Sequence, residues 1–119
     1  MRSLVIKCTA GTDDLERCHQ AFNVAATAVA AGVDVSVWLT GEAAWLGLAG
    51  YAERAELPFA APLADLRDIV LDGGSITVCT QCARRRDIQA VDLISGVAIG
   101  GATQFVEESL RDGVQALIY

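Results

Sequence analysis

Ser75-Ile76-Thr77-Val78-Cys79-Thr80-Gln81-Cys82-Ala83-Arg84-Arg85-Arg86 decides how this chain is read. It opens as a short apolar run of strand type, then sets two cysteines three residues apart and follows them with three arginines. With Cys79 closing a strand and residues 80–86 opening a helical turn, the Cys79 sulfur meets unpaired N–H groups at the positive end of a helix dipole. Both features favour thiolate over thiol and pull the pKa below the ordinary value of about 8.5. Cys82 falls on nearly the same face, one turn later. The arginines add positive field and are expected to be solvated. Reactive chemistry concentrates nowhere else in the sequence.

Outward from that stretch, strand-like runs recur at Leu4–Cys8, Val33–Leu39, Ser75–Cys79, Ser95–Ile99 and Gln115–Tyr119, with helical spacing between them. This is the βαβα pattern of an α/β domain: a mainly parallel five-stranded sheet with helices on both faces. Residues 1–119 read as one domain. The first helix is expected to be capped by Thr12 or Asp13, with Asp13 and Glu16 at capping-box spacing. Its apolar stripe is Leu15, Cys18, Phe22, Ala25, Ala26 and Val29, and Gly32 ends it. Cys18 therefore belongs to the core. The single histidine, His19, lies about 10 Å along the helix axis from its start, too far to serve Cys79 as a base, and reads as a flanking or interface residue. Between Thr40 and Gly74 the sequence predicts a short helix at Glu42–Leu48, an irregular stretch over 51–61 and a helix from Pro62 to Leu71. A last helix is expected over Thr103–Arg111. Trp45, Leu46, Leu48, Tyr51 and Phe59 form the most aromatic-rich region, read as core plus subunit interface, with a lid over the thiols as the other reading.

Composition narrows the function. A hydrophobic share of 53% with 20% charged residues exceeds the usual apolar content, so some apolar surface is expected to be covered by another subunit. A net charge of −6 argues against nucleic acid or an anionic membrane as the main partner. Residues 1–8 have none of the features of a signal peptide, and no apolar run approaches the ~18 residues of a membrane span. Four cysteines in such a chain fit a reducing, cytoplasmic compartment.

In a doubly wound sheet of order 2-1-3-4-5 the site lies beyond the strand ends, between strands one and three. Its walls are then Cys8–Thr12 and Cys79–Cys82. Asp13 and Asp14 would compete with a phosphate for the helix N–H groups, which disfavours a nucleotide or flavin. A phospho-acceptor domain needs an aspartate where Cys79 stands. A structural zinc needs four ligands, usually as two pairs, and there is no second C-x-x-C, so neither metal nor cofactor is expected. A thioredoxin-like dithiol and two merely packed thiols both stay open.

Gly11-Thr12-Asp13-Asp14-Leu15-Glu16-Arg17, Gly32-Val33-Asp34-Val35, Val78-Cys79-Thr80-Gln81-Cys82-Ala83-Arg84-Arg85 and Leu93-Ile94-Ser95-Gly96-Val97-Ala98-Ile99 come in a characteristic order and spacing. Over nearly its whole length the chain thereby resembles the small DsrE/DsrF/TusD-like sulfur-relay proteins. The resemblance implies a flavodoxin-like three-layer sandwich, assembly into trimers or hexamers, and a persulfide carried on the cysteine that ends the third strand, here Cys79. Two departures stand out: Cys82 adds a second thiol where small residues are common, and Asp87 replaces a common glycine. The expected function is a sulfur carrier or sulfurtransferase that exchanges sulfane sulfur with a protein donor or acceptor through Cys79, with Cys82 able to resolve the persulfide. Gly11, Thr12, Thr80, Gln81 and Arg85 are the candidate substrate-binding residues. The competing expectations are a thiol–disulfide redox protein using Cys79 and Cys82, and a non-enzymatic interaction or regulatory subunit.

Overall fold

Apolar runs buried on one or both sides become the five strands of a single all-parallel sheet in a computed structural model that describes residues 2–119. The strands are β1 (Ser3–Cys8), β2 (Asp34–Leu39), β3 (Ser75–Cys79), β4 (Ala98–Gly100) and β5 (Val114–Ile118). The helices are α1 (Leu15–Ala30), α2 (Tyr51–Arg54), α3 (Leu63–Gly73), α4 (Thr80–Arg85) and α5 (Ala102–Ser109). Three 3-10 segments, Thr12–Asp14, Gly41–Gly47 and Ala90–Asp92, complete the chain. Among the described residues no helix is long and apolar enough to cross a membrane.

The layering is as expected, with helices on both faces. The strand order is not: it is β4-β3-β2-β1-β5 rather than 2-1-3-4-5, so β1 lies between β2 and β5, and β3 pairs with β2 and β4. The reason is the side on which the helices pack. Val35, Val37 and Leu39 of β2 share one buried cluster with Cys18, Phe22 and Ala25 of α1 and with Leu66 and Val70 of α3. Right-handed crossovers whose helices share a face must step in the same direction across the sheet. The chain therefore walks from β1 to β4 and returns only once, through α5, to add β5 beyond β1. That last helix covers the opposite face, where Trp38 meets Phe105 edge-on at 5.5 Å and Ser36 donates to Glu108 Oε1 at 2.7 Å.

Local signals explain the element ends. Asp14, rather than Thr12 or Asp13, caps α1 by accepting from the Arg17 N–H at 3.3 Å. Asp13 is spent one step earlier, accepting from the Gly11 N–H at 2.8 Å, so the residues of the expected capping box do not form one. The helix α3 runs past Leu71 into Gly73, where it crosses α1 so closely that a Cβ would lie 2.5 Å from Val29 Cγ1. The stretch expected as a helix over Glu42–Leu48 is the 3-10 segment, and the irregular stretch that follows contains α2. The aromatics there turn inward: Leu46 is buried, Trp45 stacks on Tyr51 at 5.3 Å, and only Phe59 stands free.

Candidate functional site

β3 delivers Cys79 to the carboxyl edge of the sheet, and α4 begins at the next residue, as the sequence indicated. The strand alternates: Ile76 and Val78 enter the core under α1 and α3, which turns Ser75, Thr77 and Cys79 to the face that α5 covers. Cys79 has extended backbone angles and is half-buried. Burial pushes its pKa up, but the Cys82 N–H, the Cys82 thiol, the Gln81 N–H and the charge of Lys7 together outweigh it and hold the thiol below its ordinary range. Backbone donors at a helix start stabilise a sulfur anion.

Cys82 differs. It is buried, and its Sγ accepts the Gly41 N–H at 3.2 Å. Gly41 makes that contact with φ +55, and a Cβ there would lie 2.9 Å from the Thr9 carbonyl oxygen. Both features call for glycine. The Arg85 guanidinium sits 4.0 Å from the Cys82 sulfur. Arg86, expected in solvent with its neighbours, instead donates to Glu42 Oε2 at 2.9 Å and to the Cys82 carbonyl at 3.1 Å. Trp45 donates to the same Glu42 oxygen at 3.1 Å. These bonds fasten the end of α4 to the 3-10 segment that holds Gly41, and so fix the buried thiol.

Thr80, Gln81 and Arg85 lie on α4 beside Cys79; Gln81 and Arg85 are exposed and Thr80 is half-buried. Gly11 and Thr12 follow β1, and because β2 lies between β1 and β3, the crevice expected between strands one and three is occupied by the end of β2. Gly11 is buried against the Glu42 backbone and Thr12 is exposed. Sequence reasoning passed over Gly41, Glu42, Arg86 and Lys7. For Lys7 a signal was present: a lone cation inside an apolar strand, at the parity of Trp38 across the β1–β2 pair.

The other two cysteines are core residues. Cys8 donates to the Ala10 carbonyl at 3.2 Å, and contact with Cys8 together with burial pushes the Cys18 thiol far above the ordinary range. A neutral buried thiol is inert. His19, expected to be flanking or at an interface, is buried within the chain, its Nε2 2.9 Å from the Ala61 carbonyl. A carbonyl only accepts, so Nε2 carries the proton. A cavity of about 590 Å³ lies beside it, lined by Leu15, Glu53, Leu57 and Pro58 among others. Its lining also includes the exposed Glu56, whereas Glu53 is engaged by Arg67. No cluster of metal-ligating side chains occurs among the described residues.

The model of the DsrE/DsrF-like family matches residues 2–113. The chain is 34% identical over 113 residues to the uncharacterized protein MJ0760 of Methanocaldococcus jannaschii, covering 94% of this chain but 41% of that protein. The chain thus spans about two-fifths of the curated relative it matches. In fold it is similar to the ychN protein from E. coli, with a TM-score of 0.82, 20% identity and complete coverage of both chains. MTH1491 from Methanobacterium thermoautotrophicum follows with a TM-score of 0.72, 15% identity and complete coverage of both chains. BT1422 from Bacteroides thetaiotaomicron aligns with a TM-score of 0.60 and 15% identity, over 98% of this chain and 94% of its own.

Proposed function

The chain belongs to the DsrE/DsrF-like family, and from that premise we propose that it relays sulfane sulfur as a persulfide on Cys79, in a reducing, cytoplasmic setting. One observation carries the reading: of the four thiols, only Cys79 is both reachable and held below its ordinary pKa range. The Cys79 thiolate attacks the outer sulfur of a donor protein's persulfide. A new S–S bond forms at Cys79, the donor's S–S bond breaks, and the donor cysteine leaves as thiolate. An acceptor cysteine then repeats the step on the Cys79 persulfide. Neither step needs a metal or an organic cofactor. Donors and acceptors approach Cys79 past Gln81 and Arg85, which are exposed on the same short helix.

Cys82 gives the site a second use. Its thiol can attack the inner sulfur of the Cys79 persulfide anion, forming a Cys79–Cys82 disulfide and releasing the outer sulfur with the Cys82 proton as hydrosulfide. A thiol–disulfide function without persulfide is favoured by the same contact between the two side chains. In either use the buried Cys82 serves from within and the half-buried Cys79 meets the partner. The protein acts as a homo-oligomer, a trimer or hexamer, which closes its exposed apolar surface.

The test is intact-mass analysis after incubation with polysulfide. The wild type gains about 32 Da, the mass of one sulfur on the thiol oxidation ladder; Cys79→Ser does not. A Cys79→Ser protein that gains the same adduct defeats the assignment. A reversible loss of about 2 Da with no sulfur adduct favours the disulfide reading instead.

A further inference from the structure

We infer that Lys7 is a positioning cation of the Cys79 site, an ammonium carried on the same face of the sheet that stabilises anionic sulfur at Cys79 and sets how readily that sulfur reacts. The inference rests on the persulfide reading above and adds to it a residue from another strand.

Register places the groups. Lys7 pairs with Trp38, Trp38 pairs with Thr77, and Cys79 follows Thr77 by two residues on the same face. Strands about 4.8 Å apart rising about 3.3 Å per residue put the Cα atoms of Lys7 and Cys79 about 12 Å apart. An extended lysine side chain spans roughly half of that. Between them lies the indole of Trp38, which reaches β4, since a Cβ on Gly100 would lie 2.9 Å from Trp38 Cη2 and 3.1 Å from Thr77 Cγ2. Gly100 is the register partner of Cys79. The floor between cation and thiol is therefore the Trp38 ring, whose Nε1–H donates to Glu108 at 3.1 Å.

The partners of Lys7 sharpen the point. Its Nζ sits 5.1 Å from the Phe105 ring centroid, and no ion pair among the described residues involves it. A ring face orients an ammonium but leaves its charge uncompensated. Other charged groups surround the site, among them the exposed Arg84 of α4. Glu108 of α5 accepts from Ser36, Trp38 and Gln104, Glu42 is paired with Arg86, and Arg85 leans towards Cys82. Lys7 remains as the half-buried cation on the thiol's face without an anion of its own. Its charge is also among the influences that lower the Cys79 pKa. The simpler role, a cation–π peg holding α5 to the sheet, accounts for the Phe105 contact but predicts nothing about sulfur.

The experiment is the pH profile of Cys79 alkylation by iodoacetamide, read by peptide mass, in the wild type, Lys7→Met and Lys7→Arg. Loss of one charge at this range in a wet site slows alkylation below the midpoint by about threefold and moves the midpoint upward in Lys7→Met. Lys7→Arg restores it. Molar salt moves the wild-type midpoint in the same direction as Lys7→Met, by screening. An unchanged Lys7→Met profile overturns the inference; should that variant not fold, a wild-type midpoint indifferent to salt overturns it equally. The two failures stay separate: a wild type that gains no sulfur defeats the persulfide reading, whereas a profile insensitive to Lys7 defeats only the role of the lysine.

Discussion

Gly11→Ala tests whether the 3-10 segment Gly41–Gly47 is the part that fixes the buried thiol. A Cβ at position 11 would stand 2.5 Å from the Glu42 carbonyl oxygen, 2.8 Å from its carbon and 3.3 Å from the Ala43 nitrogen. Ordinary contact begins near 3.4 Å, so two backbone segments must part by about 0.9 Å, the gap between those distances. Neither is free to move. Gly11 gives its N–H to Asp13 Oδ1 at 2.8 Å and its carbonyl to the Asp14 N–H at 3.2 Å. Glu42 is held through its side chain by Arg86 and Trp45. Overpacking of this kind costs about 1–3 kcal/mol. Urea unfolding at fixed protein concentration should show that loss in the midpoint with little change in slope. Alkylation of Cys82 gives a second readout, because displacing the segment withdraws the Gly41 N–H from its sulfur and should speed the reaction. A loss below about 0.5 kcal/mol, within the range of ordinary surface substitutions, together with unchanged Cys82 protection, would refute the reasoning.

Arg67 is 5% exposed and forks both guanidinium nitrogens onto Glu53 at 2.8 Å; it holds the Glu53 carboxyl down to about 2. The Glu53 side chain is 46% exposed, so solvent screening reduces the stabilisation to about 1 kcal/mol. Because the folded pKa is depressed, that term is present above the usual carboxylate range and fades as pH falls from about 5 towards 2; Arg67→Met should flatten the urea-midpoint profile there, and parallel profiles would count against the pair. Asp87 has φ +54, a conformation that costs a non-glycine residue about 1 kcal/mol, so Asp87→Gly should leave thermal stability equal or higher while Asp87→Val lowers it; the reverse order would mean that the aspartate side chain holds the turn. Ile118 is 66% exposed on the edge strand β5, so Ile118→Asp should shift the mass by light scattering towards the 12.5 kDa chain, with no such shift for Phe59→Ser if β5 is the joint; an unchanged Ile118→Asp oligomer would place the interface elsewhere.

The strand and helix types were legible because β3 and α1 have patterns that admit one reading. Ser75–Cys79 is apolar and bounded by Gly73-Gly74 on one side and by the residues of α4 on the other, and the stripe Cys18, Phe22, Ala25, Ala26 is buried as its spacing required. Strand order was not legible, since it depends on whether α1 and α3 share a face, and each stripe reports only that its own helix is amphipathic. The same limit hid Arg86: three successive arginines point in three directions around a helix end, and only the position of Glu42 decides which one is captured. The place of Cys79 at the end of β3 was legible and its surroundings were not. Cys79 follows from local sequence, whereas Gly41 in its 3-10 segment and Lys7 on β1 are separated from it by more than thirty residues.

The two faces of the sheet divide the labour. On one side α1 and α3 bury Val35, Val37, Leu39, Ile76 and Val78 in a continuous core, worth about 1.5–3 kcal/mol for each fully buried large aliphatic side chain. On the other, α5 alone covers the sheet and has no buried residue of its own. A cysteine at residue 78 would face the packed side and be sealed in it. At residue 79 the alternation of the strand turns it to the thinly covered side, and the following helix supplies the N–H groups that favour its anion. The same thin cover leaves Ile118 and Leu110 exposed and Lys7 without a carboxylate. Stability is thus drawn mainly from the face away from the candidate thiol. Substitutions of α5-side residues should therefore alter thiol reactivity and assembly at smaller cost to folding than equivalent changes under α1 and α3.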